Sequence, residues 1–165
     1  MFNYYVSNIK LHRDDGTVFE EPESYHLIRH TLGESSFTVA NVPAGNYTGV
    51  TFMIGVDSIR NVSGAQSGAL DPANNMFWDW STGYIFYKLE GNYRALSSAT
   101  NDFGFHIGGF SEPYSCIQTT SLNFTETIGL NAESRGEVEI SADAAEIFKT
   151  PHQISFDDYY QNTPT

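Results

Sequence analysis

The chain has 165 residues and a formal net charge of −12, from 8 lysines and arginines against 20 aspartates and glutamates. Such a field repels phosphate backbones and argues against nucleic-acid binding, while it favours cations or a basic protein partner. The single cysteine, Cys116, excludes an internal disulfide and any cysteine-rich zinc site, and no apolar run approaches the roughly 20 residues that cross a bilayer.

With 40% hydrophobic residues, one domain over residues 1–165 can build a core without disulfides. Phe2 to Leu11 alternates aromatic and aliphatic residues with polar ones and predicts a strand. That strand is already running at the second residue, which predicts a leader and a first strand ahead of Met1. Arg13-Asp14-Asp15-Gly16 predicts a tight turn, because Asp-Gly tolerates the positive φ a hairpin needs. Thr17 to Phe19 reads as a short return, Glu20 to Ser24 as a loop, and Tyr25 to Ile28 as another strand. Ser36 to Val42 and Asn46 to Val56 read as strands divided by Pro43-Ala44-Gly45.

Asp57 to Asn75 is too polar and too rich in glycine and serine for core strands. It predicts a long excursion, with one helical turn capped by Asp71 ahead of Pro72. Trp78 to Glu90 reads as the longest strand. Phe103 to Ile107, Ile117 to Leu130 and Glu137 to Ser141 follow as strands, Ala142 to Phe148 as a short helix, and the residues after Ile154 as a polar surface tail. The sum is an all-β chain: an antiparallel β-sandwich of about eight to ten strands, with long loops and at most one or two short helices.

Candidate chemistry is sparse. On one continuous strand Trp78 and Trp80 would share a face, about 7 Å apart, as a hydrophobic floor, a sugar platform or an oxidisable pair. Core packing is the plainer reading of either. Among the five histidines, His106 stands out, between Phe105 and Ile107 and ahead of Gly108-Gly109. His26 lies in the strand-like Tyr25-His26-Leu27-Ile28. Neutral imidazole suits copper, zinc, iron and nickel, but a histidine among apolar residues is more often a hydrogen-bonded core residue. Met76 is a soft thioether beside the tryptophans, again more often core than ligand. Asp57 and Asp71 are oxygen donors in the excursion, without the spacing of an EF-hand. No nucleophile elbow, phosphate-binding loop or His-Glu-x-x-His pair occurs, so nothing marks an enzyme.

Several segments stand in an order that resembles a known family. They include Tyr5-Val6-Ser7-Asn8-Ile9-Lys10-Leu11, Val42-Pro43-Ala44-Gly45-Asn46-Tyr47, Gly68-Ala69-Leu70-Asp71-Pro72, Met76-Phe77-Trp78-Asp79-Trp80, Ser81-Thr82-Gly83-Tyr84, Lys88-Leu89-Glu90-Gly91 and Phe105-His106-Ile107-Gly108-Gly109. In this arrangement the chain, from about Phe2 to Asp143, resembles the MbnP-like copper-binding proteins of bacteria. The resemblance implies an all-β exported protein, periplasmic or at the cell surface, including as a lipoprotein. It implies copper as cofactor, and a tryptophan oxidised to kynurenine by a dihaem partner of the cytochrome c peroxidase type. The matching positions are Trp78 and Trp80 for the indole, with Met76 beside them, and His26 and His106 for the imidazole ligands. The lone Cys116 departs from the copper-binding members. The expected function is thus a non-enzymatic copper-binding accessory protein. The alternatives are an adhesion or glycan-binding module and a family scaffold that has lost its metal site. Ring nitrogens of ligands sharing one copper must lie within roughly 4 Å of each other, so the distance from His26 to His106 decides between the first reading and the last.

Overall fold

The computed structural model describes residues 1–64, 66–94, 100–155 and 161–162. Ten strands form among the described residues: β1 (Phe2–Arg13), β2 (Val18–Glu20), β3 (Tyr25–Arg29), β4 (Gly45–Ile54), β5 (Phe77–Asp79), β6 (Gly83–Tyr84), β7 (Tyr87–Arg94), β8 (Thr100–Ile107), β9 (Gln118–Leu130) and β10 (Gln161–Asn162). Helix is confined to one four-residue turn, α1 (Ser58–Asn61), and to 3-10 turns at His30–Leu32, Gly68–Leu70, Pro72–Asn74 and Ala144–Phe148. The protein is an all-β sandwich: one curled sheet of eight strands, with the small β5–β6 sheet among the segments packed on it.

β1 organises the sheet because it buries side chains on both faces. Tyr5 and Val6 are neighbours that point to opposite faces, and both are buried. A strand buried on both faces needs partners on both edges. β3 and β2 take one edge and β7 and β4 the other, all antiparallel. The change of partner falls at Asn8, which has a φ of 52° and lies at a register shift between β1 and β4. Asparagine is among the few residues that adopt this left-handed conformation readily. Its amide donates to the Ser24 carbonyl at 2.9 Å, and the Ser24 hydroxyl receives the Ile9 amide at 2.9 Å. The sheet order is β10-β8-β7-β1-β4-β9, with β10 joining β8 in parallel and β9 at the far edge.

Two cores result. On one face Tyr5 meets Val56, Leu70, Met76, Tyr84, Ile85 and Phe86, all from the chain between β4 and β7. On the other, Val6, Ile9, Ile28, Val50 and Phe52 cluster beneath Val39 and Phe124. Each large side chain so buried contributes roughly 1.5–3 kcal/mol before the entropic cost of ordering it.

Three expected strands take a different form. Residues 35–44 lie on the surface without a ladder, although Ser36 to Val42 alternates like a strand. Val39 and Phe37 use that alternation to pack on the sheet face instead of pairing with an edge. Trp78 to Glu90 is broken into β5, a turn, β6 and β7. Residues 137–141 form no strand and are exposed. The Asp71 cap is as expected: its carboxylate accepts from the Ala73 amide at 2.9 Å ahead of the Pro72–Asn74 turn. The Ala142 to Phe148 helix is a 3-10 turn over Ala144–Phe148, capped by Asp143. The tail expected after Ile154 falls largely outside the described residues.

Candidate functional site

The two tryptophans belong to a hairpin, and it separates them. Asp79 ends β5 with a turn in which its Oδ1 accepts from the Ser81 amide at 2.7 Å, the Ser81 hydroxyl at 2.7 Å and the Thr82 amide at 2.9 Å. These bonds, the Ser81 hydroxyl first, hold the Asp79 carboxyl well below the usual carboxylate range. Trp80 rides on the tip and is 62% exposed. Its ring meets the edge of Phe77 at 5.5 Å between centroids. Trp78 turns inward to the Tyr5–Tyr84 core. Gly108 lies so close under its ring that a Cβ there would be 2.8 Å from Trp78 and 2.5 Å from the Tyr84 carbonyl. Met76 is fully buried in the same core.

Asn61 anchors the hairpin from below. It is 3% exposed, and every polar atom of its amide is used. Nδ2 donates to the carbonyls of Val56 at 2.8 Å and Asp57 at 3.0 Å, and Oδ1 accepts the Tyr84 amide at 2.9 Å. Gly83, with a φ of +79°, leaves room for that oxygen: an added Cβ would meet Asn61 Oδ1 at 2.2 Å and Phe110 at 3.0 Å. The Ser58 hydroxyl donates to the Phe110 carbonyl at 3.0 Å, which ties in the chain after β8. Behind Trp80 runs a chain of edge-on ring contacts. Phe77 to Tyr84 is 4.9 Å and Tyr84 to Tyr5 is 5.9 Å. Burial pushes both phenols above their ordinary range. Their hydroxyls donate to backbone carbonyls, Tyr84 to Leu70 at 2.7 Å and Tyr5 to Ala69 at 3.0 Å.

The two imidazoles are not brought together. Directly paired residues share a sheet face, and the face alternates along each strand. His106 pairs with Lys88, Lys88 with Asn3, and Asn3 with Arg29. His26 is three residues from Arg29 on the same strand and so points to the opposite face. The strands carrying the two histidines are three inter-strand steps apart, roughly 14 Å across the sheet. Each ring has a carboxylate partner of its own. His26 Nε2 donates to Glu21 at 2.8 Å, on the carboxylate oxygen that also takes the Ser24 hydroxyl at 2.5 Å. Phe37 stacks on the His26 ring at 3.9 Å and 13°. His106 Nε2 donates to Glu90 at 2.6 Å, with Lys88 3.5 Å from the same oxygen. Burial pushes the Glu90 carboxyl up, but the bonds from His106 and Lys88 outweigh it and hold the group below its ordinary value. The structure thus does not bring the two expected copper ligands, His26 and His106, together on one face of the sheet. Among the described residues no group of three or more His, Cys, Asp or Glu side chains is placed to hold a metal.

The excursion carboxylates are occupied as well. Asp57 caps α1, accepting from the Arg60 amide at 3.0 Å, and its other oxygen takes the Tyr25 hydroxyl. Burial, and then that bond, push the Tyr25 phenol up to about 12. Asp71 is spent on its own cap. The residues that sequence reasoning missed are Gly83, Glu21 and Glu90. Only the Asp79-Trp80-Ser81-Thr82-Gly83 run carried a readable signal, as the chemistry of a turn.

A family model for MbnP matches residues 1–164. Among solved structures the chain is similar to MbnP from Methylosinus trichosporium, at 16% identity and a TM-score of 0.42, over 74% of this chain and 58% of that one. The chain therefore spans less than two thirds of that protein's length. No curated protein matches it. The family match runs over nearly the whole sequence, and the chain belongs to the MbnP family.

Proposed function

We propose that this protein is an exported, non-catalytic accessory protein that keeps the MbnP scaffold without a copper centre at His26 and His106. Its functional group on this reading is the exposed indole of Trp80, offered to an oxidising dihaem partner. The separation of the two imidazoles carries the first half. Each sits on its own face and is engaged by its own glutamate, as expected of histidines that set local structure. Export and the dihaem partner rest on the family resemblance.

Accessibility and proton chemistry support the second half. A partner at the surface can reach the 62%-exposed Trp80, while Trp78 is half-buried, packed against Gly108 and the Tyr5–Tyr84 core. Oxidation of a tyrosine needs somewhere for the phenol proton to go. Tyr84 and Tyr5 donate to amide carbonyls, which are acceptors of hydrogen bonds and poor bases at neutral pH. An oxidising equivalent at Trp80 therefore finds no easy successor among these rings and stays on the indole.

Copper(I) competition against a chromophoric chelator tests the first half. The wild type, His26→Ala and His106→Ala are expected to compete equally. Stoichiometric binding that both substitutions abolish overturns the reading. For the second half, the protein is exposed to a dihaem peroxidase and peroxide and its peptides are weighed. Oxygen addition on the peptide bearing Trp80, lost in Trp80→Phe and kept in Trp78→Phe, is expected. Modification of Trp78 alone overturns it.

A further inference from the structure

A phenol gives up an electron readily only where a base stands ready for its proton. Tyr5, Tyr47 and Tyr84 donate to backbone carbonyls, but the Tyr25 hydroxyl donates to Asp57 Oδ2, a carboxylate oxygen. Separate segments supply this pair. Tyr25 on β3 is paired with Ser7 on β1, and so lies on the sheet face of Tyr5 and Leu27. Asp57 follows β4 and caps α1. Its Oδ1 is taken by the Arg60 amide at 3.0 Å, which leaves Oδ2 to face the phenol. Asn8, where β1 changes partner, stands beside that oxygen with its Nδ2 at 3.5 Å. The Arg60 guanidinium lies 5.3 Å from the centre of the Tyr25 ring, held by Gln66 at 3.0 Å and by Glu23.

This arrangement ties the electron to the proton. The guanidinium opposes positive charge on the ring beneath it, so loss of an electron alone is disfavoured. The carboxylate is already within hydrogen-bond reach and takes the proton without motion of the chain. Burial, and then the bond to Asp57, push the phenol up to about 12, so its proton is in place at neutral pH. His26, the next residue, points to the other sheet face and is engaged by Glu21.

We propose that Tyr25 is a redox site distinct from Trp80, a proton-coupled electron donor to a high-valent metal centre that approaches the surface. The metal centre gains one electron from the ring. The phenol O–H bond breaks, an O–H bond forms on Asp57 Oδ2, and a neutral phenoxyl radical remains beside a neutral carboxylic acid. The proton moves along an existing hydrogen bond, and nothing else is bonded or released. α1 serves both sites: Asn61 anchors the Trp80 hairpin, while Asp57 and Arg60 frame Tyr25. Among the described residues the ring contacts running inward from Trp80 do not include Tyr25. Its electron leaves through its own half-buried side chain rather than through the indole.

Flash photolysis of tris-bipyridine ruthenium with a pentaamminecobalt(III) acceptor supplies a one-electron oxidant, and a nitroso spin trap marks the radicals for peptide mass mapping. The cationic complex is drawn to a chain of net charge −12. Tyr114, 83% exposed and open to water, is the internal standard. Tyr25 is expected to carry an adduct in the wild type. In Asp57→Asn that adduct, relative to the one on Tyr114, should fall at least about tenfold, since a positioned base contributes roughly 10²–10⁴-fold. Asparagine caps a helix about as well as aspartate, so α1 is kept and only the base is removed. Loosening of the segment would act in the opposite sense, by exposing Tyr25 and raising its labelling. A wild type labelled at Tyr114 and not at Tyr25 overturns the proposal. So does an Asp57→Asn variant in which the Tyr25 share is unchanged or larger. None of these outcomes depends on Trp80 or on a haem partner.

Discussion

Trp78 and Trp80 stand on either side of Asp79, yet the fold treats them in opposite ways. At the root of the hairpin, Trp78 is packed on Gly108, and Asn61 joins the Tyr84 amide to the carbonyls of Val56 and Asp57. At the tip, Trp80 makes an edge contact with Phe77 and is otherwise largely open to solvent. The root is built from groups whose loss strands a buried partner. The tip is shaped by local hydrogen bonds to Asp79 that need nothing from the core. Stability and accessibility are thus divided between the root and the tip of one hairpin, and substitutions at the two ends should differ in kind.

The root should fail first. Gly83→Ala forces a side chain into the left-handed region and against Asn61 Oδ1, and should cost about 3–4 kcal/mol in urea denaturation. Asn61→Ala leaves the buried Tyr84 amide unpaired and should cost about 2–3 kcal/mol. The two act on the same space. The Gly83→Ala/Asn61→Ala double variant should therefore fall short of the summed losses by at least about 1 kcal/mol. Strict additivity would mean that Gly83 and Asn61 do not meet as described.

Next comes the contrast between the indoles. Trp78→Ala should cost about 2–3 kcal/mol, because it empties a packed position beside Met76 and Tyr84. Trp80→Ala should stay within about 0.5 kcal/mol of wild type. The same pair can be read without unfolding the protein. Iodide should quench the fluorescence of Trp78→Phe, which retains Trp80, several-fold more steeply than that of Trp80→Phe, an order-of-magnitude contrast in access. Equal quenching would remove the basis for choosing Trp80 as the exposed indole.

How far the sequence anticipated this depends on the range over which each determinant acts. The period-two alternation of Phe2 to Leu11 and the Asp14-Asp15-Gly16 turn are local, and both were readable. So was the Asp71-Pro72 cap. The run from Trp78 to Glu90 misled because its aromatics suit strands while Asp79, Ser81 and Thr82 favour a turn. The hydrogen bonds to Asp79 decided the outcome. Ser36 to Val42 alternates as a strand would, but its apolar row is used by packing Val39 on the second core. The placement of His26 and His106 could not be read locally. It is set by the register of four strands and the parity of each, and a shift of one residue in any of them would reverse a face.

The smallest effect concerns the other imidazole site. Glu90 is held below its ordinary value against the upward push of burial, by the bond from His106 and by Lys88. A carboxylate depressed in the folded state stabilises the fold at pH values above its unfolded pKa. That contribution disappears as the pH falls through the lower, folded value. Wild type should therefore exceed Glu90→Gln in stability at about pH 7, and the two should converge at about pH 3. Solvent screening keeps the difference below about 1 kcal/mol, since the Glu90 side chain is one-third exposed and the pair lies at the sheet surface. Denaturation of the two proteins across that range measures it. A gap that persists unchanged into acid would show that Glu90 acts through packing rather than through its charge. The His106 ring would then be fixed by its neighbours on β7, with the carboxylate incidental.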